Sequence, residues 1–126
     1  MLFRSNFLRL ITSVFRSAPR VRVAEAASRI RSTQAVLIDV REPGEWRAGV
    51  AEGAELLPLS DLGGSREHWR PFLEKNAGRE LLCYCAAGGR SAIAARTLAA
   101  EGFRASNAGS LGEWQQSGWP VVKPRG

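Results

Sequence analysis

Apolar and polar positions follow two rhythms along residues 21–126. Val36–Asp39 (VLID) is a β-branched run that stops at a polar Asp-Val-Arg-Glu-Pro, and it predicts a short strand. Pro43 suits the first turn of a helix, which Gly44–Ala48 extends. Ala54–Leu57 predicts a weak strand closed by Pro58, and Ser65–Lys75 has helical spacing up to Asn76-Ala77-Gly78. Leu81–Cys85 (LLCYC) is the most apolar short run, as expected of a strand covered on both faces. Ser91–Glu101 is Ala-rich and helical, with Gly102 placed to stop it. Phe103–Ser106 predicts a last strand and Leu111–Gln116 a last helix, before Gly118-Trp119-Pro120. Such alternation predicts an α/β domain with a mostly parallel sheet and helices on both faces.

In sheets of this kind the working site lies beyond the carboxyl ends of the strands. Two loops belong there, one after Asp39 and one after Cys85. Both leave strands expected to be central, so both should open on one edge.

The loop after Cys85 carries the chemistry. Four small residues follow it (Ala86, Ala87, Gly88 and Gly89), and then Arg90 and Ser91 open a helix. Glycines can take positive φ, so successive N–H groups can point into one concavity. The helix start adds unpaired amides and the positive end of its dipole. Arg90 adds a full charge. Every feature of this loop favours an anion at its centre, and the sulfur of Cys85 is the natural occupant. A free thiol has a pKa of about 8.5, and helix termini and cations lower it. Cys83, in mid-strand, reads instead as a small buried hydrophobe. About 6.6 Å of extended strand between the two Cα atoms disfavours a Cys83–Cys85 disulfide.

Charge adds a second picture. The chain of 126 residues carries 18 Lys and Arg against 12 Asp and Glu, a net +6, with a pI near 10.6. Arg4, Arg9, Arg16 and Arg20 crowd into residues 1–20 without an acid, so the body is close to neutral. A nucleic-acid binder concentrates its basic groups on the docking face of the fold, so no nucleic-acid partner is expected. Phe3, Phe7, Leu10, Ile11, Val14 and Phe15 make one apolar stripe of an amphipathic helix. Residues 1–20 therefore read as a basic extension with three open roles: packing on the domain or a second subunit, lying on an anionic membrane surface, or serving as an organellar (mitochondrial) presequence. The Ala-, Arg- and Gly-heavy body weakens the last. The longest uncharged stretch of this extension, Leu10–Phe15, is too short for a membrane span. Two cysteines and one histidine, His68, cannot assemble a four-ligand zinc site, and neither a metal nor a cofactor is expected. His68 reads as a solvated surface residue, and the four tryptophans as packing residues.

Taken together, these motifs resemble the rhodanese-like domain family. Cys85-Ala-Ala-Gly-Gly-Arg90-Ser91 is similar to its Cys-x-x-Gly-x-Arg-Ser loop, and Leu37-Ile-Asp-Val-Arg-Glu42 with Glu45 and Trp46 to its Asp-Val-Arg-Glu segment. Gly49, Gly53 and Ala54 resemble a Gly-His-Ile-x-Gly-Ala stretch, with Val50 in place of the histidine. Gly102-Phe103, Gly109, Trp114, Gly118 and Pro120 resemble its closing signature. The likeness covers residues 21–126 and implies a single domain with a five-stranded sheet. It also implies a sulfurtransferase that takes sulfane sulfur from thiosulfate or a persulfide and passes it to a thiol or cyanide-like acceptor, or to a sulfur-relay protein. Carried over, Cys85 is the nucleophile and persulfide carrier. The amides of Ala86, Ala87, Gly88, Gly89 and Arg90 form the cradle. Arg90 holds the loop and its anion, and Arg41 either reaches the pocket or pairs with Glu42 or Glu45.

Ala86, Ala87 and Gly89 stand where relatives often carry polar or charged side chains, which predicts weak binding of doubly negative thiosulfate. Two other readings stay open: a sulfur-carrier or non-catalytic interaction module, and a phosphatase or arsenate reductase. The six positions from Cys85 to Arg90 make a ring too short for a phosphate group. A reduced thiol and the absence of a secretory signal point to the cytoplasm.

Overall fold

The computed structural model describes residues 18–124. The reading of residues 1–20 as an amphipathic extension therefore lies almost wholly outside the described residues. Helix α1 (Val23–Arg31) leads into β1 (Ala35–Asp39), followed by α2 (Pro43–Trp46), β2 (Val50–Ala51), β3 (Glu55–Leu56) and α3 (Leu59–Leu62). Then come α4 (Trp69–Lys75), β4 (Glu80–Cys85), α5 (Gly89–Ala100), β5 (Ala105–Ser110), α6 (Leu111–Gln116) and β6 (Val121–Val122).

A parallel four-stranded sheet runs in the order β3-β1-β4-β5, and β2 and β6 form a separate antiparallel pair. The expected fifth strand is reduced to a bridge at the outer edge of β5. There the amide of Asn107 donates to the Pro19 carbonyl and the amide of Val21 to the Asn107 carbonyl, both at 2.9 Å.

Strand periodicity sorts the core into two faces. Val36, Ile38 and Val40 with Leu81, Cys83 and Cys85 face α3, α4 and α5, meeting Leu62, Trp69, Leu73, Ala94, Ala95 and Leu98. Leu37, Leu82 and Tyr84 face α1 and α6, meeting Ala26, Ala27 and Trp114. The strands β1 and β4 are central, with all of β1, and β4 from Leu81 onward, buried, which explains their apolar runs.

Several elements differ from the sequence pattern, among them α4, β5 and α1. Helix α4 begins at Trp69 rather than Ser65, because the carboxylate of Asp61 accepts the amides of Glu67, His68 and Trp69 at 2.9–3.0 Å and so fixes the helix start from a distance. The last strand of the main sheet begins two residues later than expected and runs on to Ser110. Its Ala-Ser-Asn-Ala-Gly-Ser has little strand preference of its own, and pairing with β4 and with residues 19–21 supplies the order. Helix α1, absent from the elements expected from sequence, turns Val23, Ala26, Ala27 and Ile30 to the core at i, i+3, i+4 and i+7, while its other positions except Ala24 are polar or charged.

Candidate active site

β1 and β4 are neighbours, and both end at the same edge, so the loops after Asp39 and Cys85 lie side by side. The β4 loop folds into a cup. Gly88 has φ +96°, a left-handed conformation open to glycine and strained for other residues. A Cβ there would meet nothing within 4 Å, so the requirement is one of backbone conformation and not of space. This turn aims the following amides back at the end of β4. The Gly88 amide donates to the Cys85 sulfur at 3.0 Å and the Ser91 amide at 3.3 Å. Gly88 has no side chain with which to cap α5, and the Cys85 sulfur takes the place of a capping oxygen. The amides of Gly89 and Arg90 bond to no acceptor among the described residues and are available to an incoming group.

The sulfur lies at the bottom of this cup, with Cys85 only 1% exposed, while Ala86, Ala87 and Gly89 above it are exposed. Burial alone would push the thiol up. The Ser91 hydroxyl, at 3.3 Å, and the backbone groups of Ser91, Ala87 and Gly88 outweigh it, holding Cys85 below the ordinary thiol value. Cys83, sealed on the same face without such donors, is pushed up to about 12 by burial and by the neighbouring Cys85. Both cysteines are free.

Arg90 and Arg41 are both committed to carboxylates. Arg90 makes a two-pronged pair with Glu45, at 2.5 and 2.8 Å, tying the cup to α2. Arg90 and the Glu42 amide lower the Glu45 carboxyl to about 2. The one cation of the loop is thereby neutralised at the rim. Arg41, expected at the pocket or on Glu42 or Glu45, is instead buried against Asp39: Nε lies 3.1 Å from both carboxylate oxygens and Nη2 2.8 Å from Oδ2. Nη2 also donates to the Gly49 carbonyl at 2.7 Å. The reason is local, since Asp39 is fully buried at the end of β1 and needs a cation within reach. Its Oδ1 also accepts the Arg41 amide, which braces the start of the loop.

Two residues of the site were not singled out from the sequence. Ser91, third in α5, turns its hydroxyl onto the sulfur. Asn107, in β5, lies 2.8 Å from that hydroxyl through Oδ1. Ser91 stands next to Arg90 in the motif, but Asn107 lies sixteen residues further along the chain and gave no periodic or motif signal. His68 is exposed, and Trp69 and Trp114 are fully buried in the core.

Among the described residues no three His, Cys, Asp or Glu side chains converge as metal ligands, and no helix is long and apolar enough to cross a membrane. A surface hollow of about 550 Å³ lies at the opposite end of the sheet, beside Arg29, Arg79 and Arg104, away from Cys85.

The model of the rhodanese-like domain matches residues 22–117, and the chain belongs to that family. A curated relative, an uncharacterized protein of Synechocystis, is 34% identical over 92 residues, covering 71% of this chain and 48% of its own, so the chain spans about half the length of that relative. A rhodanese-related protein of Thermoplasma volcanium superposes with a TM-score of 0.70 at 28% identity, covering 84% of this chain and 99% of its own. A human single-domain sulfurtransferase gives 0.64 at 27%, covering 79% and 96%. A Rhodopseudomonas palustris protein described as a possible tyrosine phosphatase gives 0.68 at 26%, covering 90% and 91%.

Proposed function

We propose that this domain is a sulfurtransferase that carries sulfane sulfur as a persulfide on Cys85. The observation that carries the reading is the Cys85 sulfur standing as the N-terminal cap of α5, with the Gly88 and Ser91 amides on it and the Gly89 and Arg90 amides unspent. Amides on the sulfur favour thiolate, the nucleophile. With thiosulfate as donor, the thiolate attacks the outer sulfur, a new S–S bond forms, and sulfite leaves with the electron pair of the old one. Cys85–S⁻ and S–SO₃²⁻ give Cys85–S–S⁻ and SO₃²⁻. The unspent amides then face the charged outer sulfur. In the second half, an acceptor thiolate attacks that outer sulfur, and the pair of the broken bond returns to Cys85. Neither half needs a metal or cofactor.

Donor choice follows from charge. With Arg90 paired to Glu45 and Ala86, Ala87 and Gly89 contributing no side-chain donors, the loop meets the double charge of thiosulfate with backbone amides and no unpaired side-chain cation. The preferred donor is a singly charged low-molecular-weight persulfide or a partner protein's persulfide. Arg41 supports the neighbouring loop. Retention of a reduced thiol suits the cytoplasm.

The test is intact-protein mass after incubation with thiosulfate or with a small persulfide. A gain of about 32 Da, one sulfur atom, on Cys85 is expected, more readily from the persulfide and absent in Cys85→Ala. No adduct from any donor would leave the interaction-module reading. A phosphatase reading draws on the likeness to the Rhodopseudomonas protein. Cys85-dependent turnover of an aryl phosphate would favour it, and the short Cys85–Arg90 ring predicts none.

A further inference from the structure

The Ser91 hydroxyl has one proton and more than one taker. Its oxygen lies 3.3 Å from the Cys85 sulfur, 2.8 Å from Asn107 Oδ1, 3.2 Å from the Gly88 carbonyl and 3.5 Å from the Gly109 carbonyl. Asn107 is the best-placed competitor, and it is locked in place. Its Nδ2 donates to the Gly88 carbonyl at 3.2 Å, and its Oδ1 accepts the Gly109 amide at 3.0 Å. That pairing fixes which end of the amide faces Ser91. Its backbone is held by Pro19 and Val21.

Two proton arrangements satisfy this chain of groups. With Cys85 protonated, the thiol donates to Ser91 Oγ and the Ser91 proton goes to Asn107. With Cys85 as thiolate, the Ser91 proton must turn to the sulfur, and Asn107 keeps only the Gly109 amide. We propose that Asn107 is a positioning residue that competes with the Cys85 sulfur for the Ser91 proton and thereby sets the pH at which Cys85 becomes a nucleophile. Its competition favours the neutral thiol, against the pull of the amides. After sulfur transfer the inner sulfur is no longer an anion, and the Ser91 proton returns to Asn107. When an acceptor takes the outer sulfur, the proton swings back to the new thiolate.

Among the described residues the other groups bearing on the sulfur are few. Arg90, held by Glu45 on α2, acts on it through its charge, and Cys83 lies on the same strand. Asp39 and Tyr84 pair with each other on the opposite face of the sheet, and β5 carries no ionisable side chain.

This role rests on the sulfurtransferase reading only for its consequence, because the thiol titration is measured without a sulfur donor. The experiment is the pH dependence of Cys85 alkylation by iodoacetamide, with the modified residue assigned by mass. Asn107→Leu, similar in size and without an acceptor, frees the Ser91 proton. The midpoint should fall, with about fivefold more thiolate at a fixed pH below it. Asn107→Asp, a stronger acceptor with a charge, should raise the midpoint. In a Ser91→Ala background, Asn107→Leu should no longer move it. A merely structural Asn107 gives the opposite sign, because a loosened cup loses donors and its thiol titrates higher. An unchanged or raised midpoint in folded Asn107→Leu overturns the proposal. If that variant does not fold, a midpoint that stays put or falls in Asn107→Asp overturns it. Sulfur uptake by the unmodified protein is scored separately, so a failure of the transferase reading is recognised as such.

Discussion

The loops leaving β1 and β4 share one edge of the sheet, and each begins at a buried residue able to carry negative charge. The β1 loop closes on itself. Asp39 is met by the Arg41 guanidinium, the Arg41 amide and the Tyr84 hydroxyl, so its acceptors are taken from within the fold. The β4 loop does the reverse. It surrounds the Cys85 sulfur with donors, leaves the Gly89 and Arg90 amides without partners among the described residues, and sends its own cation to Glu45. A buried charge that is matched from inside contributes rigidity. A concavity with donors to spare contributes affinity for something that arrives. The first loop is the frame, and the second is the tool it supports.

Substitutions separate the two. The largest effect is expected from Cys85→Ser: sulfur uptake by mass spectrometry should vanish while the denaturation midpoint hardly moves. Arg41→Ala should behave oppositely. It strands Asp39 as an unpaired buried charge at a cost of about 3–5 kcal/mol in urea denaturation. The fraction that stays folded should still take one sulfur per chain. Full stability in Arg41→Ala would erase the distinction between the loops. Gly88→Ala should touch both properties, costing about 1–2 kcal/mol for a side chain at positive φ and raising the Cys85 alkylation midpoint as the Gly88 amide turns away.

Glu45→Gln is the mildest of the series. It releases the Arg90 charge, so thiosulfate kcat/KM should rise about threefold to tenfold at low salt, with little change for a singly charged persulfide. A fall with both donors would show that the ion pair only braces the loop. The same change should flatten acid unfolding. The Glu45 carboxyl is lowered from 4.5 to about 2 in the folded chain, so its contribution is complete above pH 4.5 and is lost as pH falls toward 2.

Much of the frame was legible in the sequence because burial on both faces writes an unbroken apolar run. Val36–Asp39 and Leu81–Cys85 could hardly be anything but central strands. The cup was legible because small residues between a strand and an arginine-led helix start have few other uses. What escaped depends on partners distant along the chain. Arg41 sits two residues from Asp39, yet pairing the two required knowing that Asp39 is buried. The start of α4 is set by Asp61, outside any local window. Strand β5 owes its order to its neighbours, and Asn107 reaches Ser91 only because the sheet brings β5 alongside the end of β4.

That placement of Asn107 reaches back to the beginning of the described chain. Pro19 and Val21 grip its backbone from the open side of the sheet, like a clasp on the last slat of a blind. Trimming the chain between Ala18 and Val21 therefore changes the surroundings of the sulfur atom.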